Sequence, residues 1–321
     1  MGQYVSFQLV DAFADTPFTG NPAGVVPDAD GLSDKQMQLI AREVNASETA
    51  FIRRAREPGA APRLRWFTPA VEVGFCGHAT LAAAHVWAAG RLRAVGAAPS
   101  APGASDRAGA APEARTTLEF DSAAGRLELV AERLPDREDL LWWLTMPAPE
   151  LRPDHTNPVR LCEALGLAND DLDPAAAPAR TRDHDVIVLI RSWQRLQALR
   201  PDMQALASLS ERFDVRGVCV ATRQTLSPFV NVASRFFAPA AGIAEDPVTG
   251  SVHGPLAALL VQRGLVPIVD GRAALHCVQG IPGGRTGVLR ALVEATPNGP
   301  RVQIAGVCHT TVRGEMRLPK S

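Results

Sequence analysis

The chain has 321 residues, 46% hydrophobic and 21% charged, which is ordinary globular composition with material for two cores of moderate size. With 33 basic against 34 acidic residues the formal charge is -1, so there is no electrostatic reason to expect nucleic acid or an anionic membrane as partner, and no basic stripe interleaved with aromatics occurs. The opening MGQYVSFQLVDAF carries neither a basic n-region nor a long apolar run; it reads as neither a secretory leader nor a membrane span, and a cytoplasmic protein is expected.

Apolar alternation marks a first strand over Val5 to Phe13, which leaves no free arm to present Gly2 although MGQYVS fits a myristoylation pattern. A helix is signalled at SDKQMQLIAREV, where Ser33 followed by Gln36 forms a capping box. The glycosylation sequon at Asn45 has meaning only in a secreted chain. Strands follow at LRWFTP and at the pair TTLEF and GRLELVAERL, joined through Ala123, Ala124 and Gly125 as a hairpin. Between Ala94 and Arg115 the sequence becomes AVGAAPSAPGASDRAGAAPEAR, which has almost nothing to bury and reads as a mobile surface insertion.

The second half repeats the mixture. Strands are expected at DVIVLI, VRGVCVATR, FVNVASRFF and RVQIAGVCHTTVRGEMRL, and helices near VRLCEALGL and GPLAALLVQRG. Short strands with hairpin-like spacing suggest an α+β chain of curved, largely antiparallel sheet on a few helices. FTPAVEVGFCGHATLAAA and FAPAAGIAEDPVTGSVHG also echo one another: Phe67 falls on Phe237 and Cys76 on Asp246, both at an offset of 170 residues. Both segments end a strand, turn, and enter an Ala-rich helix, so a duplicated domain is expected, with residues 1–135 as the first copy and 136–309 as the second.

If the two copies face one another, the helix starts at Gly77-His78 and at Thr249-Gly250-Ser251 converge on one cleft. Free amides and the positive helix end there favour a carboxylate or phosphate, and glycine lets it approach the backbone. Glu48 lies between the first helix and the apolar run Ala50, Phe51, Ile52, surroundings that suit a general acid/base; an exposed loop glutamate is the plainer alternative. His78 reads as a proton carrier or as a capping ring, and Asp246 as a cap for its turn or as a ligand for substrate. Cys76, at a helix start, is either reactive or buried filler.

The five cysteines are odd in number, scattered and without CxxC, so reduced thiols are expected rather than a disulfide framework or a zinc knuckle. RDHD at Arg182 to Asp185 reads as a solvated turn, and LHC and VCH lack ligand spacing, so no metal is expected. GIPGGRTG at Gly280 is in the wrong context for a P-loop, and no cofactor is indicated.

Five ordered motifs spanning nearly the whole chain, GNPAGV from Gly20, SETAF from Ser47, FCGHAT from Phe75, RFFAP from Arg235 and EDPVTGS from Glu245, together resemble the PhzF family of phenazine-biosynthesis-like isomerases. The resemblance implies a diaminopimelate-epimerase-like fold: two pseudo-symmetric domains, each a curved sheet around a central helix, with the site in the cleft and a last strand near 310–321 returning to the first domain. It implies a cofactor-independent enzyme, commonly a homodimer, that moves a proton between carbons of a small carboxylate-bearing substrate. Glu48 matches the family's acid/base, with His78 and Asp246 assisting; Asn21, Cys76, Gly77, Thr249, Gly250 and Ser251 fall in the motifs that bind substrate. The namesake reaction isomerises trans-2,3-dihydro-3-hydroxyanthranilate. Related epimerases use two cysteines where this chain has Cys76 and Asp246, so a two-cysteine racemisation is not available. A thiol-dependent reaction through Cys76 alone, or a binding protein without turnover, are the alternatives. One departure stands out: the family's QGxxMGRPS is here QGIPGGRTG, with Gly283, Thr286 and Gly287 in place of Met, Pro and Ser.

Overall fold

The computed structural model describes residues 3–55, 57, 59–94, 116–135, 137, 139–280 and 283–318. The Ala- and Gly-rich stretch at 95–115 lies outside the described residues. The chain divides into two units, one of Met1–Phe18, Pro22–Leu144 and Gly306–Ser321, the other of Thr19–Asn21 and Thr145–Ala305.

In the first unit β1 (Tyr4–Ala12) leads through β2 (Asn21–Val26) to helix α1 (Asp34–Val44) and β3 (Glu48–Arg53), which runs parallel to β2 with Ala23 opposite Glu48. The capping box of α1 is formed as its sequence predicts, the Gln36 amide N–H donating to Ser33 Oγ at 3.3 Å and the Ser33 amide N–H to Gln36 Oε1 at 3.0 Å. Asn45 closes the helix in the left-handed region (φ 53°), which a short polar side chain tolerates. The apolar stripe of α1, Met37, Ile40 and Ala41, packs with Val26, Phe51 and Phe67.

Then follow β4 (Arg63–Phe67), the short β5 (Glu72–Val73), helix α2 (Gly77–Ala94), β6 (Thr116–Ser122), β7 (Gly125–Arg133) and β8 (Leu140–Thr145). The expected hairpin turns at Ala123-Ala124, with Ser122 opposite Gly125. Helix α2 is apolar on every side through Ala79–Ala84 and packs on β1 and β3, the position of a central helix. The unit runs on to Leu144, past residue 135, because β8 pairs antiparallel with β7 (Leu129 opposite Leu144).

The second unit repeats this order. β9 (Leu151–Pro153), helix α3 (Pro158–Leu165), β10 (Ala179–Thr181) and β11 (Asp185–Leu189) lead through helices α4 (Trp193–Ala198) and α5 (Met203–Phe213) to β12 (Gly217–Thr222), parallel to β11. Next come β13 (Val232–Ala238), β14 (Ile243–Asp246), the buried helix α6 (Gly250–Gln262), β15 (Arg272–Gly280), β16 (Thr286–Thr296) and β17 (Gly299–Arg317). The correspondence is strand for strand: β3–β4–β5 with β12–β13–β14 antiparallel, α2 with α6, and the parallel pair β4/β6 with β13/β15. The sheets are mostly antiparallel, with one feature that strand spacing did not suggest: parallel pairs spanned by helices recur in each unit. β17 belongs to the second unit up to Ala305, where it pairs with β16, and to the first from Gly306, where Cys308–Arg317 pairs with β1.

Candidate active site

Glu48 is the first residue of β3, not a loop residue, and its side chain is only 16% exposed. β3 is held from both sides, by β2 and by β4 (Thr49 opposite Phe67), so the carboxylate leaves a fixed backbone. His78 stands in the first turn of α2 with 6% exposure, and its Nε2 lies 3.4 Å from Glu48 Oε2 and 3.2 Å from Ser47 Oγ. The other ring nitrogen, Nδ1, faces Cys76 Sγ at 3.4 Å. Cys76 precedes the helix, and its carbonyl accepts both the Thr80 amide N–H (3.1 Å) and the Thr80 hydroxyl (2.6 Å), which fixes that turn. Gly77 is the first helical residue.

Glu48, Cys76 and His78 are the group among the described residues whose potential ligand atoms lie within 4.8 Å of one another. His78 turns a different nitrogen to each neighbour, so the arrangement bridges a thiol and a carboxylate rather than chelating one ion between them. The remaining thiols are packing: Cys162, Cys219, Cys277 and Cys308 are buried, and burial pushes each of them up, Cys277 to about 12.

In the second unit Asp246, the last residue of β14, has both carboxylate oxygens engaged. Asn21 Nδ2 donates to Oδ1 (2.8 Å) and also to the Val248 carbonyl (2.9 Å), and the Thr249 hydroxyl donates to Oδ2 (2.5 Å). Gln279 completes the frame: its Nε2 donates to the Asp246 carbonyl (2.7 Å) and to Thr249 Oγ1 (3.0 Å), while its Oε1 accepts the Thr249 amide N–H (2.9 Å). Thr249 occupies the N-cap position of α6 yet makes no capping bond, because its hydroxyl is turned to Asp246. The first-turn amides at Gly250-Ser251 therefore have no side-chain acceptor from their own cap. One turn on, the wholly buried His253 lies with Nδ1 2.8 Å from the Thr249 carbonyl and Nε2 3.1 Å from Ser234 Oγ, and burial holds it well below the usual range, at about 4.

Asn21 is brought to this frame by the segment that the sequence assigns least clearly. The Gly20 amide donates to the Thr286 carbonyl (2.7 Å), and the Arg285 guanidinium donates to the carbonyls of Thr19 (2.9 Å) and Gly20 (3.1 Å). The altered GIPGGRTG stretch thus still anchors residues 19–21, through a main-chain bond and an arginine. β15 ends at Gly280 with φ 104°, where a Cβ would lie 2.3 Å from the Arg285 carbonyl oxygen, so glycine is required for the turn.

Sequence reasoning missed two charged residues here. RDHD is not wholly a solvated turn: Asp185 is 1% exposed and makes a two-pronged ion pair with Arg216, whose Nε lies 2.8 Å from Oδ1. Arg216 Nη2 also donates to Ser251 Oγ (3.0 Å), so the Ser251 oxygen accepts and its proton remains for another acceptor. Burial alone would lower Arg216, but the charge and hydrogen bonds of Asp185, together with the Asp183 and Asp246 charges, raise it, so the guanidinium stays charged. The signal in sequence was weak, an aspartate opening a strand and an arginine just before Gly217. His276 and Cys277, neighbours in β15, differ in burial as alternate residues of a strand must, which removes LHC as a ligand pair.

The profile of the family described as Phenazine biosynthesis-like protein matches residues 10–314. The Pseudomonas aeruginosa protein named Uncharacterized isomerase PA3578 is 39% identical over 98% of this chain and 99% of its own length. Uncharacterized isomerase YddE of Salmonella typhimurium is 37% identical over 92% and 93%. Among solved structures, the PhzF-family phenazine biosynthesis protein of Bacillus anthracis superposes with TM-score 0.81 at 25% identity, covering 98% of this chain and all of that one. A hydroxyproline epimerase from Agrobacterium vitis shares the fold, with TM-score 0.57 at 12% identity over 100% and 95% of the two chains. No helix among the described residues is long and apolar enough to cross a membrane. The chain belongs to the phenazine-biosynthesis-like, or PhzF, family and is an isomerase.

Proposed function

We propose that this isomerase moves a proton between two carbons of a small carboxylate-bearing substrate without a cofactor, with Glu48 as the acid/base. The observation that carries this reading is the half-buried Glu48 carboxylate at the start of β3, with His78 Nε2 3.4 Å from its Oε2. The substrate C–H bond breaks, the proton passes to Glu48, the electron pair stays on the substrate, and Glu48, whose carboxyl proton exchanges with solvent, delivers a proton to a second carbon.

A carboxylate on the substrate suits the helix starts, where unpaired amides and the helix dipole favour an anion. Helix α2 begins at Gly77-His78 and α6 at Gly250-Ser251; in α6 the cap side chain that would compete is turned to Asp246. Asp246, Ser251 and Thr249 serve in binding and orientation, and Asn21 acts by holding Asp246.

Incubating the protein with a panel of amino- and hydroxy-carboxylic acids in deuterium oxide should place label at a C–H position of the true substrate, read by NMR. Glu48→Gln should lower that exchange by about a hundredfold or more, with thermal stabilisation by the same acid retained. Undiminished exchange in Glu48→Gln refutes the assignment, and an acid that binds without any exchange favours a binding role instead. A thiol base at Cys76 is the second reading, favoured by its contact with His78, and it requires that Cys76→Ser be as inactive as Cys76→Ala.

A further inference from the structure

We infer that Cys76 is a positioning residue whose thiol donates to Nδ1 of His78 and so keeps the His78 proton on Nε2, against the Glu48 carboxylate. The inference rests on the reading of Glu48 as acid/base and adds the group that sets its ring partner. Three contacts carry it: Sγ to Nδ1 at 3.4 Å, Nε2 to Oε2 at 3.4 Å, and Nε2 to Ser47 Oγ at 3.2 Å.

An ionised carboxylate only accepts hydrogen bonds, so the nitrogen facing Glu48 must carry a hydrogen for the contact to be attractive. In the neutral ring the other nitrogen is then a bare lone pair, and in a nearly buried ring it needs a donor. The neutral thiol is the donor that faces it. With the tautomer reversed, two lone-pair-bearing atoms, Nε2 and Oε2, would meet. Ser47 Oγ can donate to Nε2 or accept from it, so the Glu48 carboxylate is the neighbour that selects the line S–H to Nδ1, Nε2–H to Oε2.

The consequence for proton transfer is directional. Oε2 is tied to Nε2–H, so Oε1 is the oxygen that receives the substrate proton and gives it back. No electron leaves the system, and the thiol keeps its own proton throughout the cycle. A thiol base would instead have to lose that proton, which separates the two roles of Cys76.

The test needs no substrate. Long-range proton–nitrogen spectra of the full-length, nitrogen-15-labelled protein at pH 7 report the tautomer of each of its 7 histidines, with His78 assigned by its absence in His78→Gln. The expected result is a single Nε2–H tautomer for His78 in the native chain and in Cys76→Ser, which keeps a donor, and a mixed or reversed tautomer in Cys76→Ala. A proton on Nδ1 in the native chain, a doubly protonated ring, or a tautomer unmoved by Cys76→Ala overturns the inference. If Cys76→Ala fails to fold, the native spectrum alone still decides between the first of these outcomes and the expected one. The exchange assay on Glu48→Gln is a separate measurement, so a wrong substrate class would leave the tautomer result standing.

Discussion

Lowering the pH from 7 to 5 should weaken the second unit through His253. In the unfolded chain the imidazole titrates near 6.5, whereas burial holds it at about 4 in the fold. A depressed folded value means that the unfolded chain binds the proton more tightly. The stability His253 confers is thus complete above about 6.5 and is lost as the pH falls toward 4. At 1.36 kcal/mol per unit, the full window is worth about 3 kcal/mol, and about 2 kcal/mol of it is gone by pH 5. The affected contacts are the ones that hold the start of α6, Nδ1 to the Thr249 carbonyl and Nε2 to Ser234. Urea titrations read by hydrogen exchange of the α6 peptide, at both pH values, measure the loss. His253→Gln removes the titrating group while keeping an amide donor and acceptor, so the urea midpoint read at α6 should be lower at pH 7 but nearly independent of pH. Equal pH dependence of α6 in the native chain and in His253→Gln would refute the reasoning. His85 in α2, brought to about 4 by burial and secondarily by His309 and Arg313, gives the first unit its own acid sensitivity, which His253→Gln should leave untouched.

Three substitutions probe the frame around the site. Gly217→Ala should destabilise the second unit by about 1–3 kcal/mol, because its Cβ would lie 2.3 Å from Cζ of the buried Phe236, and a urea midpoint unchanged from the native chain would count against that packing. Gly90→Ala, in the exposed interior of α2 with open space at the Cβ, should instead stabilise by about 0.5–1 kcal/mol, seen as a higher melting temperature. Asn21→Ala should cost the second unit about 1.5–3 kcal/mol, as it strips the donor from Asp246 Oδ1 and from the Val248 carbonyl; hydrogen exchange over residues 246–251 should rise in step.

The duplicated topology was legible because two segments with the same order of strand, turn and buried helix carry matching residues at one offset, Phe67 with Phe237 and Cys76 with Asp246. The capping box at Ser33 was legible because it is local. The secondary position of Glu48 was not, since a six-residue strand flanked by a helix has no room to display alternation, and parallel pairing with β2 buries both of its faces. Helix α5 was missed although Asp202 caps it and Leu206 and Leu209 form its buried stripe; Asp202 follows a proline that reads as a turn. β15 alternates in burial along its whole length and β16 as far as Glu294, and the histidine and cysteine within β15 drew attention to ligands instead of to period two. Asp185 with Arg216, and Gln279 with Asp246, are separated by 31 and 33 residues, and such pairs become visible only once register is known.

The divergence of the two copies bears on what a duplicated scaffold can catalyse. Racemisation draws on a base on each face of one carbon, and the equivalent turns would supply them if both held free proton carriers. They do not. At one turn Cys76 meets His78 and Glu48; at the other the Asp246 carboxylate has each oxygen committed, to Asn21 and to Thr249, and is thereby a fixed acceptor rather than a free base. The strand that begins with Glu48 in one copy begins with Gly217 in the other, preceded by an arginine already paired to Asp185. One turn carries a carboxylate with an imidazole beside it and the other a carboxylate locked by hydrogen bonds, so the two copies no longer present equivalent groups.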